Sequence, residues 1–156
     1  MRSAALVVLV GGSLLVPGAA SASNGSIIAK LRAADPTITR DESHIAKAAI
    51  KFRSTHKAGP VRAAISREVR DLKRVTGKVA AQSASNAKGR KGKALIIRGL
   101  SLIRSAYRQL NNVFANGAKN PGAVAGEVSR AQASARRGRV LFFAGQRQLG
   151  LRAPAR

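Results

Sequence analysis

The sequence predicts an all-α protein, an antiparallel four-helix bundle following a cleavable signal peptide, with a short extra helix ahead of the bundle. Three observations carry this expectation. Apolar residues recur at steps of three and four, the spacing of one helix face. The periodic segments are separated by short connections rich in Gly, Pro and Asn. Strand signals are weak, since aromatic residues make up only 3% of the chain, alanine is plentiful and alternating runs are absent.

Taken in order, residues 1–22 have the layout of a signal peptide. Arg2 supplies a positive start, Ala4–Val16 an apolar run broken at Gly11-Gly12, and Pro17-Gly18 a turn. Ala20-Ser21-Ala22 places small residues at the positions a signal peptidase accepts, with cleavage before Ser23. The run is shorter than the ~20 apolar residues of a comfortable membrane span. Export to the cell envelope or exterior is the expected localisation. A chain of 134 residues would then remain, enough for one hydrophobic core without staples. The absence of cysteine excludes disulfides, thiol catalysis and Cys-based metal sites, and it favours a bacterial origin for an exported protein.

Residues 23–38 read as a polar lead with a short helix at Ile27–Leu31, ended by Asp35-Pro36 because the residue before proline is pushed out of the helical region. Asn24-Gly25-Ser26 also matches the glycosylation sequon. The bundle domain is expected over residues 39–150. Thr39 and Glu42 fit a capping box, and Asp41 and Glu42 suit the positive end of a helix that buries Ile45, Ala49 and Phe52. Gly59-Pro60 reads as a left-handed helix end followed by the first residue of the next helix. That second helix carries the stripe Val61, Ile65, Val69, Leu72, Thr76 and Val79, with Arg67, Arg70, Arg74 and Lys78 opposite. On this pattern Glu68 and Asp71 belong to a charge-balanced solvated face.

Ser83–Lys93 (SASNAKGRKGK) is small, polar and basic, and reads as a solvated linker; it lacks the spacing of a phosphate-binding loop. The most regular helix follows at Leu95–Asn116, with Ile96, Leu100, Ile103, Tyr107, Leu110 and Phe114 at steps of 4, 3, 4, 3 and 4. The last helix begins at Asn120-Pro121-Gly122, as cap, first and second residue, and its small residues Ala135 and Gly138 allow close approach to a neighbour. It fades at Gly145 or Gly150, leaving residues 151–156 as a flexible tail.

Function is less legible. Lys and Arg total 29 against 6 Asp and Glu, a net charge of +23, and residues 72–156 hold a single acid, Glu127. Such a field draws polyanions or anionic surfaces. Two basic groups stand out. Lys88, Arg90, Lys91, Lys93, Arg98, Arg104 and Arg108 follow one another without an acid, and Arg136, Arg137 and Arg139 sit together on the last helix. Converging on one bundle face, they would hold an anionic polymer or an acidic protein surface, with nucleic acid and a peripheral lipid surface as chemically allowed partners. Base stacking is poorly provided for, because the few aromatic residues are claimed by the core.

Catalytic machinery is not expected. Asp41, Glu42 and His44 have a capping explanation, and His44 and His56 on one helix would stand ~18 Å apart, too far to share a metal. No nucleophile motif is present. The expectation is therefore an exported binding protein without cofactor, metal or enzymatic activity. The alternatives are a structural or partner-binding envelope protein whose charge is incidental, and a membrane-active cationic protein whose detached helices would lie in the interface.

Overall fold

The computed structural model describes residues 24–116 and 121–151. Within them the chain forms four helices and no strand: α1 (Gly25–Thr55), α2 (Ala58–Ala80), α3 (Ala87–Asn116) and α4 (Pro121–Gln148). Consecutive helices pack as antiparallel neighbours, α1 on α2, α2 on α3 and α3 on α4, as the short connections require. The four-helix bundle expected from periodicity is present. The signal peptide expected over 1–22 lies outside the described residues, as do the start of the bundle's last connection at Gly117 and the cap at Asn120.

The expected break at Pro36 does not occur. α1 runs through it for 31 residues, and the short helix at 27–31 is its first two turns. Leu31, Ile38, Ile45 and Phe52 repeat every seven residues across the proline, so one apolar stripe continues from end to end. Pro36 itself is on the exposed side, where water can solvate the backbone around it. A proline inside a helix costs about 3 kcal/mol. Ile27, Ile28 and Leu31, all buried beyond it, contribute ~1.5–3 kcal/mol each, which outweighs that cost. Asn24 anchors the same end: its buried side chain fills the space above Gly89 and accepts a hydrogen bond from Ser85 Oγ at 3.3 Å. The capping box expected at Thr39 and Glu42 is therefore absent, since both lie in mid-helix.

Helix ends also differ from expectation. His56, not Gly59, takes the left-handed conformation that ends α1 (φ 55°), and its amide donates to the Phe52 carbonyl at 2.8 Å. Gly59 and Pro60 lie inside the first turn of α2, where the missing proline N–H leaves no intrahelical bond unmade. The segment read as a linker over 83–93 is mostly helix. Asn86 caps α3 by accepting the Gly89 amide at 2.7 Å, and the chain is helical from Ala87. α4 ends in a Schellman turn, with Gly150 at φ 83° and the Leu151 amide donating to the Gln146 carbonyl at 3.0 Å. Leu151 is buried in the core rather than part of a tail, while residues 152–156 lie outside the described residues.

The tightest packing is the seam between α3 and α4. Gly92 faces Gly145, Gly99 faces Gly138, and one heptad further Ala106 packs with Ala131 and Ala135. A Cβ on Gly99 would sit 2.6 Å from the Gly138 carbonyl oxygen and 2.7 Å from the Phe142 amide nitrogen. Backbone therefore lies directly against backbone along this seam. Gly77, in contrast, has nothing within 4 Å of its would-be Cβ and is exposed in α2. Opposite effects follow for the same substitution. Gly77→Ala should stabilise the fold by up to about 1 kcal/mol through helix propensity alone. Gly99→Ala should destabilise it by about 1–3 kcal/mol by forcing the helices apart. Urea denaturation of the two variants checks both signs; a stabilised Gly99→Ala protein would contradict the close seam.

Candidate functional site

The charged side chains of this bundle are sorted by sign, and that sorting defines its candidate site. Four of the six acidic residues, Asp41 and Glu42 on α1 and Glu68 and Asp71 on α2, are buried. Asp41 and Glu68 have no exposed surface at all. The capping role expected for the first pair and the solvated face expected for the second are both overturned. The reason is visible in α2, whose buried stripe is Val61, Ile65, Glu68, Leu72, Val75 and Val79. Glu68 and Val75 occupy the regular 4-3-4-3-4 spacing, displacing Val69 and Thr76 to half-buried flanks.

Partial compensation comes from arginines reaching inward. Arg74 Nη1 meets Asp71 Oδ1 at 2.9 Å, Arg40 Nε approaches Asp41 Oδ1 at 3.7 Å, and the half-buried Arg139 brings Nη2 to 3.9 Å from Glu42 Oε1. Glu68 receives no such partner: neither of its oxygens meets a hydrogen-bond donor among the described residues. Burial, reinforced by the charges of Glu42, Asp41 and Asp71, pushes its pKa up to about 9, so it carries a proton at neutral pH. Asp41 is also raised, by burial first and then by Asp71, to which it is hydrogen-bonded side chain to side chain. While both acids are ionised, the Asp41 oxygens find no donor. A proton on Asp41 supplies one, donated towards Asp71. Tyr107 of α3 closes the cluster; burial and the nearby Glu42 and Glu68 hold its phenol neutral.

The cluster is largely shielded from solvent, reaching the surface at the Asp71–Arg74 contact. Among the described residues no group of three or more His, Cys, Asp or Glu is arranged to hold a metal ion. His44 is exposed on α1, away from the carboxylates in its own segment.

With its acids withdrawn, the surface is left cationic. Every described Lys and Arg is exposed except Lys93, Arg104 and Arg139, which are half-buried. The seam register decides which of these cations share a face. Lys91 and Arg98 immediately precede the seam residues Gly92 and Gly99, and Arg130 and Arg137 immediately precede Ala131 and Gly138. In an antiparallel helix pair, equivalent heptad positions flank the same side of the seam. The residues following the seam, Leu100, Tyr107 and Gln146, are buried in the core, so Lys91, Arg98, Arg130 and Arg137 line the opposite, outer face. Half-buried Leu95, Leu102 and Leu141 floor this face between the two basic rows. Towards the α3–α4 connection it deepens into a hollow of about 230 Å³ lined by Gln109, Asn112, Glu127 and Arg130.

The basic residues expected to act together are thus divided. Lys88, Lys91, Arg98 and Arg137 lie on the outer face, with Arg108 at its shoulder. Arg90, Arg104 and Arg136 sit on the far flanks of their helices, turned from the seam. Lys93 points inward, donating from Nζ to the carbonyls of Ala80 at 2.6 Å and Gln82 at 2.5 Å, which caps the C-terminal end of α2. Arg139 serves Glu42. Arg130 is the outer-face cation that sequence reasoning missed; its place one heptad before Arg137 was the available signal. Comparison with protein-family models, curated proteins and solved structures finds no match for this chain.

The buried proton on Glu68 makes stability depend on pH. Its folded-state pKa lies above the unfolded value of 4.5, so its contribution is complete below pH 4.5 and is lost as pH rises through 9. Stability should fall by about 1.4 kcal/mol per pH unit across that window from this group alone. Glu68→Gln, a neutral isostere, should flatten the slope and stabilise the protein at pH 8. Denaturation midpoints of both proteins at several pH values test this; parallel slopes would show that Glu68 is ionised in the folded state.

Proposed function

We propose that this is an exported, non-enzymatic binding protein that holds an anionic polymer through the outer face of the α3–α4 hairpin. The observation that carries the reading is the removal of negative charge from the surface. Four carboxylates lie in the core, so the exposed guanidinium and ammonium groups of α3 and α4 have few acids to pair with. Lys91, Arg98, Arg130 and Arg137 form two parallel rows along a rigid, closely packed seam, and this spacing is fixed by helix geometry rather than by flexible loops. Rigid rows lose little entropy on binding and attract polyanions from a distance. Export rests on the signal-like residues 1–22, and an envelope polymer is the partner that address makes available. No described helix is long and apolar enough to cross a membrane.

Binding of this kind is dominated by counterion release and weakens steeply with salt. Heparin and a short DNA duplex are suitable probes. Replacing Arg98 and Arg137 together by Gln should lower affinity for the duplex and reduce the slope of log K against log salt by roughly one for each contact removed. Replacing Arg104 and Arg136 by Gln removes the same charge from the flanks and should have a smaller effect. Fluorescence titrations at several salt concentrations give the comparison. Equal losses in the two double variants would mean that net charge, not this face, governs binding.

A further inference from the structure

A second basic surface lies on the other side of the bundle, between α1 and α2, and its residues form rows rather than a scatter. His44, Lys47, Ala48 and Lys51 are spaced i, i+3, i+4, i+7 along α1, and Pro60, Ala63, Ala64 and Arg67 repeat the spacing along α2. Arg67 Nη1 meets His44 Nδ1 at 3.4 Å. Stepping along the antiparallel pair from that contact sets Lys47 opposite Ala64, Ala48 opposite Ala63 and Lys51 opposite Pro60. The result is a groove of about 400 Å³ with an apolar floor of alanines and proline and a basic wall at each end.

We infer that this groove binds a phosphate ester, with the phosphate held by Lys47 and Lys51 at the end nearest the start of α2 and the organic part lying over Ala48, Ala63 and Ala64 towards Arg67. Three features point to an anion of this size. The groove has no acidic lining residue, and Lys47 and Lys51 have no ion-pair partner among the described residues, while Arg67 is also felt by the buried Asp41. Arg67 Nη1 rests 3.4 Å from His44 Nδ1, which holds the guanidinium and the imidazole side by side at one end of the groove. The first turn of α2, beginning at Ala58, brings its unsatisfied amides and positive dipole end to the Lys51 side of the groove. Guanidinium and ammonium groups at both ends, about 10 Å apart along the helix, match a phosphate with an apolar extension better than a long polymer.

The groove is independent of the hairpin face, so the two readings can fail separately. The ligand chemistry has two sources, a soluble phosphate ester or a phospholipid headgroup, and the exposed Ile50 beside Lys47 and Lys51 makes the second worth a separate arm. The test is an amide NMR titration of the full chain with glycerol 3-phosphate, against sodium chloride at equal ionic strength. Saturable shifts are expected in residues 44–51 and 58–67, with affinity reduced about tenfold or more in Lys51→Gln/Arg67→Gln. Lys47→Gln/Lys51→Gln, which alters only exposed α1 side chains, should show the same direction and guards against a folding defect from losing Arg67. Shifts spread over the whole surface, or unchanged by either double variant, would overturn the inference. Flotation with vesicles of phosphatidylcholine containing a minority of phosphatidylglycerol separates the sources. Co-flotation lost in both variants identifies the headgroup, and wild-type protein left in solution identifies the soluble ester. Duplex DNA binding by the hairpin face should be affected only weakly by these substitutions.

Discussion

An ionised carboxylate inside a helical bundle costs more free energy than any single contact around it returns. This chain places four carboxyl groups in one interior, from two adjacent helices, with one close arginine contact and two longer ones to offset them. The cluster is tolerable because protons and arginines replace or offset charges: Glu68 keeps its proton, Asp41 is raised and hydrogen-bonded to Asp71, and Arg74 and Arg139 approach Asp71 and Glu42. The rest of the charge distribution depends on that arrangement. Were the same four groups at the surface, they would pair with neighbouring cations of α1 and α2, and much of the basic surface would be locally neutral. Interior acids and exterior cations are two sides of one constraint.

Packing supplies the second half of the account. Glycines at heptad spacing let α3 and α4 touch backbone to backbone, which leaves the residues just before each seam position on one outer face and those just after it in the core. A single register therefore sorts Arg98 to solvent and Leu100 inward, and likewise Arg137 to solvent and Arg139 towards Glu42. Proximity in sequence is a poor guide to shared surface here. Arg136, Arg137 and Arg139 are near neighbours in the chain, yet they point to a flank, the outer face and the core.

Much of the fold could be read directly from spacing. The stripe of α3, the proline that opens α4 and the antiparallel order of the helices all follow from local patterns that nothing in the tertiary structure opposes. Elsewhere a local rule yields to a stronger long-range one. Pro36 favours a break, but the heptad from Leu31 to Phe52 buries enough apolar surface to carry α1 through it. Gly89 and Gly92 look like linker residues, yet they are small because Asn24 and the α4 backbone occupy the space beside them. Polarity favours solvent for Glu68, but its position completes the apolar spacing of α2. The α1–α2 groove was not legible at all, because its two rows acquire meaning only when the helix register brings them together.

Four of the six acids of this basic protein are held in the core, where burial keeps the proton on Glu68 and raises Asp41. The most direct measurement is carbon-detected NMR of the side-chain carboxyl groups, followed from acid to alkaline pH with Asp and Glu labelled. Glu68 should remain protonated through neutrality and titrate near pH 9, with Asp41 displaced upward from the ordinary Asp range. If all six carboxyl groups instead ionise together between about pH 3 and 5 while the protein stays folded, the interior cluster does not exist as described. The cationic surface would then need another explanation.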